Sequence, residues 1–289
     1  MLIALLRSMR PRQWPKNAFI FAPLVFDLQL NRIESLVRIG LGFVLLCLAS
    51  SVVYLVNDLA DLEADRKHPT KRRRPLAAGE LSPSVAIAAA AGLGLVTIAG
   101  AFALGTAFGA IVLAYLGLNL LYSFGLKHVP ILDVFVVAAG FVLRVGAGVS
   151  LIVVERFSPW LYVCTTLLAL FIAFGKRRAE IVLLHSRARA HRRVLEGYTL
   201  PLLDQMISIV SATTIAAYSL YTFSAENLPG NHLMMLTIPF VLYGIFRYLH
   251  LIHVEDAGGS PEELVLTDRP LGAAILLWGL TSTAILYLG

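Results

Sequence analysis

At 289 residues, 58% of them hydrophobic and 15% charged, with a mean hydropathy of +0.77, the chain carries more apolar surface than a soluble domain needs. The apolar residues come in runs of roughly 20 rather than in alternating ten-residue segments, which argues for membrane-spanning helices over a membrane β-barrel. A net charge of +6 would suggest nucleic acid in a soluble protein; here it concerns orientation in a bilayer, and no nucleic-acid partner is expected.

In chain order, Met1 to Arg10 lacks the apolar core and cleavage site of a removable signal peptide. The hydropathy pattern predicts nine spans, at about 16–30, 36–57, 82–104, 107–124, 131–152, 159–176, 201–223, 232–250 and 270–288. The first is short and contains Pro23. Cys47 and Cys164 both sit inside apolar runs, which excludes a disulfide framework and gives neither a metal-binding neighbour. No repeat, low-complexity tract or soluble linker appears. The expected fold is therefore all-α, a polytopic membrane bundle of about nine helices forming one domain over residues 1–289.

Lys and Arg crowd the N-terminus and alternate connections, whereas the opposite connections hold only Arg32, Arg38 and Arg156. The positive-inside rule then places the N-terminus and the long polar loops in the cytoplasm, at the inner (plasma) membrane. Chemistry is expected on that side.

The second span runs directly into Asn57-Asp58-Leu59-Ala60-Asp61-Leu62-Glu63-Ala64-Asp65. If the helix continues, Asn57, Asp61 and Asp65 form a stripe with Asp58 in the same arc, while Glu63 points away. Like charges at this spacing repel by roughly 0.2–0.5 kcal/mol per pair. Hard oxygen donors gathered at a helix end suit Mg²⁺ carrying a phosphorylated substrate. The plainer reading is a solvated helix end whose acids answer the following basic residues. The metal reading requires the acids to share one pocket.

Arg66, Lys67 and His68, then Lys71, Arg72, Arg73 and Arg74, follow closely and are bracketed by Pro69, Pro75 and Gly79. Such a shaped basic loop beside acids suits a diphosphate held by metal on one side and guanidinium on the other; positive-inside anchoring is the alternative. The fourth connection runs from Tyr122 through Lys127, His128 and Pro130 to Asp133. Lys127 could hold phosphate, and Asp133 is either a second metal ligand or a partner of the helix dipole. Arg144 lies within span five, where a charge must face a polar cavity or a partner: either substrate phosphate or a structural ion pair. Span six ends in Lys176-Arg177-Arg178, with Glu180 one turn from Lys176 and able to pair with it. Residues 181–195 have the composition of a basic surface helix. The mainly acidic connection from His253 to Arg269 either caps a site or is a polar linker.

Together these residues resemble the UbiA superfamily of intramembrane prenyltransferases, whose first aspartate-rich motif matches Asn57-Asp58-x-x-Asp61-x-x-x-Asp65 at the end of the second span. Within it the closer likeness is to members that transfer a phosphoribosyl group to decaprenyl phosphate. That likeness is carried by Arg10-Pro11-Arg12-Gln13-Trp14-x-Lys16-Asn17, His68-Pro69-Thr70-Lys71-Arg72-x-Arg74-Pro75, Phe124-Gly125-Leu126-Lys127-His128 and Gly175-Lys176-Arg177. One departure stands out: quinone-forming members usually carry a second pair of aspartates four apart, and here Asp133 is followed at that spacing by Val137.

The resemblance implies Mg²⁺ on Asn57, Asp58, Asp61 and Asp65, a phosphoribosyl diphosphate donor and a polyprenyl phosphate acceptor. It implies substrate binding by Lys16, Lys71, Arg72, Arg74, Tyr122, Lys127, His128, Asp133, Arg144, Lys176 and Arg177. The alternative within the fold moves a polyprenyl group from its diphosphate to an aromatic acceptor. A transporter is disfavoured because only Arg144 lies near mid-span. Oligomeric state is not legible.

Overall fold

The computed structural model describes residues 1–68, 71–154, 158–185, 193–255, 257, 259 and 261–288. Among them the regular structure is helical. The α-helices, in order, are α1 (Leu2–Ser8), α2 (Ala22–Phe26), α3 (Ile33–Ala60), α4 (Leu62–Lys67), α5 (Pro83–Leu104), α6 (Thr106–Phe124), α7 (Leu132–Leu151), α8 (Pro159–His185), α9 (Leu200–Ser224), α10 (Ile238–His253), α11 (Pro261–Thr267) and α12 (Arg269–Leu288). Eight helical segments among the described residues are long and apolar enough to cross a membrane: α3, α5, α6, α7, α8, α9, Leu233–His253 and α12.

The predicted span at 16–30 differs. Residues Pro11–Phe21 form a 3₁₀ helix, followed by the five-residue α2. The reason is local: Pro11, Pro15 and Pro23 each lack a backbone N–H and break the i→i−4 ladder. The segment is fastened to α3 instead, Trp14 Nε1 donating to Ser51 Oγ at 3.1 Å and Asn17 Nδ2 to Ser50 Oγ at 3.3 Å. It also lies against α7, since a Cβ on Gly148 would meet the Ile20 carbonyl oxygen at 2.1 Å. Only glycine permits that approach.

The chain divides into two compact units. One comprises Met1–Leu24, Gln29–Lys127 and Gly140–Val154. It is built around α3, whose 28 residues rise about 42 Å. Ile39, Leu46, Ala49 and Val53 pack with Phe108, Val112, Ala147 and Leu151. A second cluster joins Ala4, Met9 and Leu55 to Leu76, Leu81, Ala86 and Ala90. Leu76 and Leu81 belong to the α4–α5 connection, so that basic loop is anchored by apolar burial. Arg38 ties two helix ends at once, donating to the Leu151 and Leu104 carbonyls at 2.9 Å each.

The other unit comprises Val25–Leu28, His128–Ala139 and Glu155–Gly289. Here α8 packs along α9 and α10 along α12. An aromatic cluster of Tyr218, Tyr221, Phe26 and Trp278 is fixed by Trp278 Nε1 donating to the Tyr218 hydroxyl at 2.7 Å. The acidic connection before α12 acts as a clamp. Asp268 accepts from Arg247 at 2.6 and 3.2 Å and caps α12 by accepting from the Leu271 N–H at 2.8 Å. The surface helix expected at 181–195 falls largely outside the described residues; α8 itself runs on to His185.

Two predictions follow from these fastenings. Arg38→Met leaves two helix-terminal carbonyls without their donor and is expected to lower stability by about 1–3 kcal/mol, read as a fall in the thermal midpoint of the detergent-solubilised protein. The hydrogen bonds from Arg247 hold the Asp268 carboxyl below its ordinary value. Its contribution is therefore present at neutral pH and lost as pH falls through that lowered value. Thermal midpoints measured from neutral to acid pH should fall more in the wild type than in Asp268→Ala.

Candidate active site

The α3–α4 junction is nearly continuous. The Asp61 N–H donates to the Asn57 carbonyl at 2.9 Å and the Asp65 N–H to the Asp61 carbonyl at 2.8 Å. The turn at Asp61 separates two helices, yet Asp58 and Asp65, seven residues and two turns apart, still face one way. Both are buried, each 2% exposed. One guanidinium spans them: Arg74 Nη1 donates to Asp65 Oδ2 at 2.6 Å and Asp58 Oδ1 at 3.1 Å. Arg10 also donates to Asp58 Oδ1 while its guanidinium lies 4.7 Å from the centre of the Tyr54 ring. Lys71 Nζ is 4.0 Å from Asp65 Oδ1. The loop holding these cations is closed by the Arg74 N–H on the Lys71 carbonyl and the Ala78 N–H on the Arg74 carbonyl.

Asp61 departs from this pair. Its carboxylate meets Lys127 Nζ at 3.1 and 3.4 Å. The expected convergence of three acids therefore becomes a pair plus one, and no group of three His, Cys, Asp or Glu is close enough to hold a metal ion among the described residues. The geometric reason is the helix period: positions 58 and 65 are stacked, while 61 is rotated about 60° from 58 toward a different cation. The donor set is nonetheless all oxygen, the chemistry that Mg²⁺ takes. Asn57 is half-buried on the last turn of α3, in reach of the same helix end.

In the second unit Asp133 lies in the first turn of α7 and is fully buried. Both its oxygens are engaged: Oδ2 accepts from Arg177 Nε at 2.7 Å and Oδ1 from the Tyr198 hydroxyl at 2.6 Å. That hydroxyl accepts in turn from the Ile131 N–H at 2.5 Å, where the backbone has a φ of +69°. Burial, with the Asp133 carboxylate beside it, holds the Tyr198 phenol well above its ordinary value. Arg177 also pairs with Glu180, so the expected Lys176–Glu180 pair gives way to a different partner. Asp133 and Arg177 satisfy each other, which favours a positioning role at the start of α7 over ligation.

The other expected residues are spread more widely. His128 is exposed at the end of the short Leu126–His128 turn; Tyr122 and Lys16 are half-buried. Arg72 is exposed and Lys176 half-buried, and neither makes an ion pair among the described residues. Arg144 is deep within α7, on Asn17 and Tyr115. Residues not singled out beforehand are Arg10, Tyr54 and Tyr198. Arg10 carried a signal, lying in the Arg-Pro-Arg-Gln-Trp stretch, but Tyr198 stands 65 positions from the carboxylate it binds.

Eight apolar helical segments among the described residues define a multi-pass membrane protein, with buried ion pairs at the C-terminal end of α3 and the start of α7. The profile of the UbiA prenyltransferase family matches residues 19–262. The chain belongs to that family and is an enzyme. Among similar proteins, the decaprenyl-phosphate phosphoribosyltransferase of Mycobacterium tuberculosis is 34% identical over 283 residues, covering 96% of this chain and 92% of that one. The protein of the same name from Corynebacterium glutamicum is 36% identical over 285 residues, covering 95% and 84%. A solved UbiA homolog from Archaeoglobus fulgidus bound to GPP and Mg²⁺ has a TM-score of 0.74 at 21% identity, covering 98% of this chain and 99% of that one. That likeness establishes the fold.

Tyr198→Phe strands the Ile131 N–H and one Asp133 oxygen and should cost about 1–3 kcal/mol of stability. A double-mutant cycle with Asp133→Asn should give a coupling energy of at least roughly 0.5 kcal/mol, measured by thermal unfolding. Simple additivity would remove the bridging role.

Proposed function

We propose that the protein transfers the 5-phosphoribosyl group of phosphoribosyl diphosphate to a polyprenyl phosphate, releasing diphosphate, with Mg²⁺ as cofactor. The observation that carries this is the likeness to decaprenyl-phosphate phosphoribosyltransferases at 34–36% identity over 95–96% of the chain. The buried acids at the α3–α4 junction supply matching chemistry. Asp58 and Asp65, with Asn57 and Asp61 on the adjoining turns, would hold the ion, which supplies charge neutralisation on the leaving diphosphate worth several kcal/mol.

The chain's own residues do the rest. Arg10 and Arg74 orient Asp58 and Asp65, and Lys127 orients Asp61. Arg72 and Lys176, which have no acid partner among the described residues, are the cations most available to substrate phosphates, and Lys71 is next to Arg72 in the α4–α5 connection. Lys16, Tyr122 and His128 complete the candidate substrate-binding set. The bond from the ribose carbon to diphosphate breaks as positive charge develops on the sugar, as at other glycosidic centres. A lipid phosphate oxygen, already ionised at neutral pH, forms the new bond without a general base. We further propose that 1–289 works as one transferase domain in the inner membrane, with its N-terminus and this site facing the cytoplasm, as the Lys and Arg distribution favours.

The test is incubation of purified protein with Mg²⁺, polyprenyl phosphate and phosphoribosyl diphosphate labelled in the ribose. Labelled lipid is expected, and its absence would refute the proposal. Chelation should abolish the product. Asp61→Ala should cut turnover by roughly 10- to 100-fold while eluting as folded protein in size-exclusion chromatography.

A further inference from the structure

Arg144 is the buried cation that the ion-pair chemistry above leaves without a counter-charge. It is 9% exposed, within the apolar length of α7. Its Nε donates to Asn17 Oδ1 at 2.8 Å and its Nη2 to the Tyr115 hydroxyl at 3.0 Å. The Tyr115 and Phe141 ring centres lie 5.0 and 5.1 Å from its Cζ. All of these are neutral, and among the described residues no carboxylate pairs with it. Arg177, buried to a similar degree in the second unit, has both Asp133 and Glu180.

The neutral shell is itself built. Asn17 is 1% exposed, and its amide nitrogen is committed to Ser50 Oγ and Cys47 Sγ, which turns its oxygen toward the guanidinium. Two edges of the fork are thus fixed. The third corner, Nη1, faces Gly140, where a Cβ would stand at 3.3 Å. An added side chain there would press on Nη1, the one nitrogen of the guanidinium with no hydrogen-bond partner among the described residues. An uncompensated charge at such depth is costly and is found where a polar ligand or partner meets it, and a planar guanidinium with one face of donors open suits a phosphate oxyanion.

We infer that Arg144, through the Nη1 corner left open by Gly140, binds the phosphate group of the lipid acceptor. This rests on the proposed function and deepens it by separating the acceptor's site from the donor's. The setting decides between the two. A single cation among aromatic rings matches one phosphate on a hydrocarbon chain better than a water-soluble donor bearing a diphosphate and a further phosphate.

The full-length protein, in nanodiscs of neutral phosphatidylcholine, is titrated separately with polyprenyl phosphate and with phosphoribosyl diphosphate. Arg144→Met is expected to raise the Kd for polyprenyl phosphate by about tenfold or more, leaving that for phosphoribosyl diphosphate unchanged. Gly140→Ala keeps the charge and the helix but fills the open corner, and should weaken lipid binding several-fold. It carries the test if Arg144→Met does not fold. Lipid binding unaltered in Gly140→Ala and in whichever Arg144 variant folds overturns the inference, as does loss of donor binding alone. Arg144-dependent lipid binding in a protein that makes no labelled lipid sustains the inference and removes the proposed activity.

Discussion

The α3–α4 end of the first unit depends on one cation placed between two buried carboxylates. Asp58 and Asp65 are each withdrawn from water, and their mutual repulsion would open the helix end without Arg74 between them. Breaking such a buried pair by removing one partner costs on the order of 3–5 kcal/mol. The same contact folds the α4–α5 connection over the helix end, where Leu76 and Leu81 bury themselves against Leu55 and Ala86. Charge compensation and apolar anchoring thus act at one place. The loop is basic because the helix end is acidic, and it is shaped because its leucines have somewhere to go.

That arrangement sorts the cations by use. Arg10, Arg74, Lys127 and Arg177 neutralise acids of the protein itself. Arg72 and Lys176 are uncommitted among the described residues, and Arg144 is held only by neutral groups. Residue type alone does not make this division; it follows from which carboxylate each side chain reaches.

Much of this was legible in the sequence because bilayer thickness is a strong constraint. The long apolar runs appear as α3, α5 to α9, Leu233–His253 and α12, and the acidic motif falls at the end of α3 as its position after Val56 implies. The stretch at 16–30 departs from a regular span helix, taking 3₁₀ and short α form, because hydropathy does not register the donors that Pro11, Pro15 and Pro23 remove. The acids were identified, but their partners were not, since Arg74 and Lys127 are chosen by chain folding rather than by helical spacing. Spacing alone leaves Asp133 between two roles; Tyr198, far along the chain, takes one of its oxygens and Arg177 the other. Glu180 went to Arg177 rather than Lys176 because only Arg177 is also drawn to Asp133.

Arg38 has an electrical consequence beyond its hydrogen bonds. Each helix C-terminus carries roughly half a negative charge, so the ends of α5 and α7 together offset about one guanidinium.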